Sequence, residues 1–411
     1  MAGDVLVRVG ICGLGIAARQ VRSSIDRTEG ARLTAVCDIR QSEVDAWCDR
    51  YDLEGFTDIN ALVRSDSVDA VWVATPNNLH AEHTILAANA GRHVICEKPM
   101  SISIDQASAM VEAIEKNGVK YIQGHSRIHR PYVHKMGEVI ASGRLGRVIH
   151  VNSWMYNDWM QRAWERHSLD ESLGGGVVFR QGPHQMDVIR YLCGGLVRSV
   201  RGTAGYWHPH HKVPGDYHAF MDFEDGPTAM ISFSGYGNFD IRELTWNIGE
   251  GGPVYSDEAV LGPRPRATGD VPGEVFYNLP HYTLEAFDKR DQEERKQDFF
   301  GLIVVNCENG DIRQSPDGLY VYTEKGREEV LMSDEELRAG EIKALVDAIK
   351  ADGPGFPDVR WGRATLEACI AMKESGQQRK DILMHHQVPS PLRPALQKMA
   401  GGAPAPRYAP S

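Results

Sequence analysis

Residues 7–21 read VRVGICGLGIAARQV, and the way this stretch must fold sets the class of the whole chain. Val7–Ile11 is a short apolar run of the kind that a strand buried on both faces requires. It leads directly into Gly13-x-Gly15-x-x-Ala18 and then into an apparent helix. Gly13 permits a tight turn, Gly15 lets the backbone approach a pyrophosphate, and Ala18 lets the helix pack closely on its strand. The helix N-terminus then turns free N–H groups and a positive dipole end toward phosphates. A second apolar run, Leu33–Cys37, ends in Asp38, where an acidic residue meets the adenosine ribose of a dinucleotide. Asp38 would accept from the 2′- and 3′-hydroxyls and repel a 2′-phosphate, which favours NAD. Arg40 blunts that preference and leaves NADP open.

The same rhythm continues downstream. Ala70–Ala74 is a third buried-strand run and ends in Thr75-Pro76-Asn77-Asn78-Leu79-His80. Ligands of open α/β sheets lie at the carboxyl ends of strands, so Thr75 and Asn77 fall on the cofactor side. His80 opens a helix to Ala90, where it joins the cofactor loop or only caps and packs the helix. A fourth run, His93–Cys96, ends in Glu97-Lys98-Pro99, which places Lys98 to reach into the crevice beside a nicotinamide. A helix from about Ile104 to Asn117 and a strand at Lys120–Gln123 complete an alternating β/α unit. The expected fold is α/β, with a Rossmann dinucleotide-binding domain over residues 1–125.

A chain of 411 residues is too long for one compact core, so a second domain is expected over 126–388, followed by a Pro/Ala-rich tail at 389–411. Arg144–Trp154 reads as a loop entering a strand, and strand-like runs follow at Val197–Trp207, Tyr217–Phe223 and Thr228–Ser234. Their mixed alternation suits a sheet with one exposed face. Gly251–Pro280 reads as a long excursion, Gly301–Val321 as strand pairing, and Asp334–Lys350 and Ala364–Ser375 as helices. The tail reads as disordered or as an arm on a partner subunit. A formal net charge of −11 argues against a nucleic-acid partner. Seven scattered cysteines without CxxC spacing suggest a reducing compartment. With no signal peptide and no apolar run of membrane-spanning length, a cytoplasmic location is expected. HPHHK at His208–Lys212 reads as a solvated turn, and no metal is expected.

The other half of a candidate site is GGGVVFRQGPHQMD at 174–187. Three glycines allow a sharp turn or a close approach to a ligand. Arg180, His184 and Asp187 then stand at the start of a helical apolar pattern. The preceding segment Trp154–His167 is dense in aromatics and arginines. Trp164 could pack a ring-shaped substrate or the nicotinamide, and Arg166 could hold a carboxylate; ordinary interdomain packing is the alternative.

Taken together, GLGIAA, TPNNLH, EKP, SRIHRPY, IASGRLGRVIHV and the glycine run resemble the glucose–fructose oxidoreductase/inositol dehydrogenase/MocA family. The resemblance covers roughly Val7–Leu196. It implies a C-terminal α/β domain on a large, open, mainly antiparallel sheet, and subunits paired as a homodimer or homotetramer. By the same resemblance Gly13, Gly15, Asp38, Thr75, Asn77 and Glu97 match cofactor contacts, Lys98 the catalytic lysine and His184 the catalytic histidine. Either of the last two could take the hydroxyl proton. In sugar-oxidising members an aspartate usually stands where this chain has Arg180, so the pocket suits an anion better than a polyol. The glycine run, with GYGNFD at Gly235–Asp240 and WNIGEGG at Trp246–Gly252, is similar to phthalate 4,5-dihydrodiol dehydrogenases. That similarity implies NAD-dependent oxidation of a carboxylated cyclic cis-diol to 4,5-dihydroxyphthalate. Two alternatives stand beside it: a sugar or inositol dehydrogenase, and a dinucleotide-binding sensor without turnover.

Overall fold

The computed structural model describes residues 6–124, 127–263, 275–276, 279–290, 296–332 and 340–399. Strands β1 (Val7–Cys12), β2 (Ala31–Cys37), β3 (Glu54–Phe56), β4 (Ala70–Val73), β5 (His93–Glu97) and β6 (Tyr121–Gly124) form a parallel sheet in the order β3-β2-β1-β4-β5-β6. Successive side chains leave a strand on opposite faces, so both faces of this sheet can be apolar. Val71 and Val94 join one cluster with Ala87 of α4 (His80–Asn89) and Met110 of α5 (Ile104–Asn117). Their neighbours Trp72 and Ile95 join another with Ile25 of α1 (Ile16–Arg27) and Trp47 of the helix Gln41–Tyr51. The strand order reverses between β1 and β4, which opens a crevice at their carboxyl ends.

Among the described residues the second sheet has nine strands: β7 (Val148–Tyr156), β8 (Val197–Gly205), β9 (Asp216–Phe223), β10 (Thr228–Ser234), β11 (Leu302–Cys307), β12 (Gly310–Ser315), β13 (Gly318–Thr323), β14 (Gly326–Leu331) and β15 (Ile382–Leu383). Their order is β14-β13-β12-β11-β7-β10-β9-β8-β15, and every pairing except β7–β10 is antiparallel. In β9, Tyr217, Ala219, Met221 and Phe223 are buried while His218 and Phe220 are exposed, the alternation of a one-sided sheet.

Three features depart from the sequence reading. The helix Glu341–Lys350, inside the segment expected to be second-domain, instead places Ile342, Leu345 and Val346 in the Rossmann cluster with Ile95 and Ile122. The next helix, Val359–Gln378, packs on β8 and on α5, so it belongs to both domains. The tail docks on its own chain as far as Met399. There Ser390 Oγ donates to the Tyr191 carbonyl at 2.7 Å, and Arg393 pairs with Asp225 at 2.6 Å. Residues 400–411 of the expected tail, and 264–274 and 277–278 of the excursion, lie outside the described residues. Among the described residues no helix is long and apolar enough to cross a membrane.

Candidate active site

The dinucleotide side is built by backbone. Gly13 has φ +94°, and a Cβ there would sit 2.6 Å from the Ala74 carbonyl oxygen and 2.7 Å from the Thr75 nitrogen. Only glycine lets the β1 loop pass the end of β4. Gly15 is the N-cap of α1, with no side-chain cap and no acidic residue in the first turn. The leading N–H groups of that helix therefore suit an anion, and Ala18 is fully buried against the sheet. Leu14 N donates to Asp38 Oδ2 at 2.8 Å, and Arg40 grips the same carboxylate through Nε and Nη2, each at 2.9 Å. Burial alone would raise the Asp38 carboxyl, but Arg40 and the two main-chain N–H groups outweigh it and hold it below the usual carboxylate range. These groups fit the pyrophosphate and adenosine ribose of a dinucleotide.

Thr75 pairs with His83 Nδ1 at 3.1 Å at the rim of the same loop. Asn77 is buried and donates to the Gly174 carbonyl at 2.8 Å, so its amide nitrogen is used between the domains. His80 needs correction as a cofactor contact. It is 1% exposed, and its ring nitrogens lie 2.7 Å from the Pro99 and Thr75 carbonyl oxygens. Burial pushes it down to about 4, so near neutral pH a neutral ring donates to one carbonyl at a time. It ties the loops after β4 and β5 together. The glycine run also has a different use from the one expected. A Cβ on Gly174, at φ +80°, would fall 2.6 Å from Ile102 and 3.0 Å from Asn77 Cβ, so Gly174 seats one domain on the other, while Gly175 and Gly176 pack within the second domain on Asp170 and Pro214.

Lys98 follows directly on the carboxyl end of β5. Its Nζ donates across the domain boundary to the Arg180 carbonyl at 2.9 Å. Burial, then the Arg180 and Arg127 charges, lower its pKa to about 8 against the opposing pull of Glu97 and Glu250. Glu97 accepts from Trp72 Nε1 at 3.2 Å, and burial pushes its carboxyl up despite Lys98. The Arg180 guanidinium lies 5.6 Å from the Trp164 ring centre, a cation–π distance. Burial and Arg180 together lower His167 to about 4. Trp164 stacks on Trp159 at 4.7 Å and donates to the Trp159 carbonyl at 2.7 Å, which fixes its plane beside Arg180.

His184 stands near the start of α8 (Gly182–Leu192), buried, with its ring edge-on to Phe300 at 4.9 Å. Two residues expected at the substrate are elsewhere. Arg166 is exposed, with its charge beside Asp170. Asp187 is fully buried and accepts from Trp361 Nε1 and, at 2.9 Å, from Thr365 Oγ1, so it faces the helix Val359–Gln378. Because α8 is buried all round, a residue about one turn beyond His184 can meet a neighbouring helix and not the pocket.

Several site residues carried no sequence signal as a set. Arg127 is 3% exposed, lies 4.7 Å from the Phe300 ring centre, and pairs with both Asp298 and Glu250. Arg130 reaches Asp298 at 2.9 Å. The end of the excursion also reaches the crevice. Phe276 contacts Trp164 at 6.4 Å and Tyr282 at 4.7 Å, and the Tyr282 carbonyl accepts from Arg19 of α1 at 2.9 Å. Apart from Phe276 and Tyr282, these partners are separated by more than a hundred residues, and only the fold brings them together.

A model of an oxidoreductase family with an NAD-binding Rossmann fold matches residues 7–125, and a GFO/IDH/MocA C-terminal domain matches 133–248. The chain is 30% identical over 386 residues to 1-carboxy-3-chloro-3,4-dihydroxycyclohexa-1,5-diene dehydrogenase of Comamonas testosteroni, covering 90% of this chain and 95% of that one. A solved structure from Bordetella bronchiseptica RB50, assigned as a dehydrogenase, superposes with a TM-score of 0.80 at 32% identity, covering 92% of this chain and all (100%) of that one. Levoglucosan dehydrogenase in complex with NADH and levoglucosan shares the fold, with a TM-score of 0.71 at 17% identity over 92% of this chain and 99% of its own.

Proposed function

This chain belongs to the GFO/IDH/MocA oxidoreductase family, with an NAD-binding Rossmann domain, and on that premise we propose that it oxidises a carboxylated cyclic cis-diol, with the 4,5-cis-dihydrodiol of phthalate as the leading substrate. The observation that carries this reading is Arg180, whose main chain holds Lys98 and whose guanidinium lies along the Trp164 ring. A guanidinium fixed beside the reacting amine suits a substrate carboxylate, which it can hold through two parallel hydrogen bonds. The Trp164 face suits a planar ring. A nicotinamide in the crevice supplies the acceptor for two electrons and a hydrogen. The carbinol C–H bond breaks with its electron pair leaving as hydride, and the hydroxyl proton passes to neutral Lys98 or to His184. Enolisation of the resulting ring ketone completes an aromatic dihydroxy product, which draws the reaction forward. The Comamonas relative is named for a ring of the same kind, a carboxylated dihydroxycyclohexadiene.

NADH formation with the phthalate cis-dihydrodiol, set beside a panel of inositols and hexoses, tests the reading. Turnover of the dihydrodiol is expected. Turnover of polyols alone would move the chain to the sugar dehydrogenases, and NADH binding without turnover of any diol would make it a sensor.

A further inference from the structure

We propose that Glu250 is the carboxylate that reads the substrate's hydroxyls, accepting hydrogen bonds from a vicinal diol held against Lys98. The proposal rests on the dehydrogenase reading above and deepens it. A diol brings two O–H donors into a site whose guanidinium cations, Arg180 and Arg127, offer it only donors, while neutral Lys98 has one lone pair for the reacting hydroxyl. It needs acceptors as well. Among the described residues, Glu97 and Glu250 both favour the charged form of Lys98. Glu97 is turned to Trp72 and toward Glu341 on the far side of β5. Glu250 has one oxygen, Oε1, on Arg127, and its side chain is 49% exposed, so the rest of the carboxylate is open.

The geometry around Glu250 is that of a preorganised acceptor. Its turn is closed by Gly252 N on the Gly249 carbonyl at 3.0 Å and held to the segment that leads into β11 by Phe299 N on the same carbonyl at 3.3 Å. Gly251 N donates to Asp298 Oδ1, and Asp298 is also gripped by Arg127 and Arg130. Arg127 thus ties Glu250 and Asp298 together while lying on one part of the Phe300 ring, and His184 meets the same ring. A buried guanidinium shared by two carboxylates fixes their directions, and a fixed acceptor loses little freedom when it binds a hydroxyl.

Glu250→Gln and Glu250→Ala should be assayed with the carboxylated cis-diol, with a monohydroxy analogue bearing the same carboxylates, and with any polyol the wild type oxidises. Loss of a hydrogen bond to a charged group predicts a fall of about 10–100-fold in kcat/KM for the diol, with a much smaller fall for the monohydroxy analogue and unchanged NADH affinity. A second readout needs no turnover: the pH dependence of Lys98 methylation by formaldehyde and borohydride. Removing a negative charge beside Lys98 should move its midpoint to lower pH, because Glu250 favours the ammonium. A wild type silent on carboxylated diols but active on sugars sinks the substrate reading alone. Equal kcat/KM for variant and wild type on the wild type's diol, with an unmoved Lys98 midpoint, overturns the assignment of Glu250.

Discussion

Gly13 and Arg180 face the same crevice from opposite domains, and they are held there by different means. On the Gly13 side one uninterrupted strand–turn–helix–strand, Val7 to Cys37, supplies nearly everything, and most of it is main chain: a turn, the open N-terminus of α1, and the Leu14 N–H on Asp38. On the Arg180 side the working groups are side chains from five separate stretches, at Arg127, Trp164, His184, Glu250 and Phe300, set against Lys98 of the first domain, and all but Trp164 are held by a neighbour from another stretch. A binding surface made of backbone tolerates most side-chain changes but not a change of path. A surface made of side chains can be retuned one residue at a time while the path stays put.

The contrast can be tested by substitution, and the largest effect belongs to Lys98. Lys98→Met should cut kcat by about 10³-fold, the range for losing a general base, while an NADH fluorescence titration gives an unchanged Kd. Substantial residual turnover would hand the proton to His184. In the wild type, kcat/KM should rise with pH and level off above about 8, because the base works only when neutral and burial beside Arg180 has lowered it to that value. A limb near the ordinary lysine value of about 10.4 would break the link between this burial and the base.

Gly13→Ala should cost about 2–3 kcal/mol of stability and most of the dinucleotide affinity, since the added Cβ meets fixed backbone at a positive φ. Thermal melting with and without NADH checks both. Arg180→Met should raise KM for the carboxylated substrate about 10–100-fold and change kcat less; an unmoved KM would make Arg180 structural. The smallest effect is expected from Asp187→Asn. That change weakens the buried set of Trp361, Thr365 and Arg190 and should lower stability by about 1–2 kcal/mol, leaving KM as it was. A raised KM would return Asp187 to the pocket.

The same contrast explains what could be read from the letters alone. Gly13, Gly15, Ala18 and Asp38 were legible because their relation is local: spacing along the chain is spacing in space. Lys98, His184 and Arg180 were legible through a resemblance and through their places at the ends of elements. Asp187 and His80 were misplaced because a carboxylate or an imidazole near a site has the same signature whether it faces a pocket or a neighbouring helix. Only the partners Trp361 and Thr365, or the Pro99 and Thr75 carbonyls, decide which. Arg127 and Glu250 lie in stretches that carried the resemblance, SRIHRPY and WNIGEGG, but nothing along the chain says that they meet each other or Asp298.

The helix Glu341–Lys350 gives the first domain a dependence on time. Its Ile342, Leu345 and Val346 cover Ile95 and Ile122, yet they leave the ribosome more than two hundred residues after Gly124, the last residue of β6. At about 5–20 residues per second, the Rossmann sheet waits roughly 10–40 s with part of one face uncovered. Chains stalled between Gly124 and Glu341 should therefore be cut readily by protease within their first domain and bind NADH weakly. Chains stalled well past Gln378 should resist, and equal resistance at both lengths would show that the early sheet is closed without its late helix.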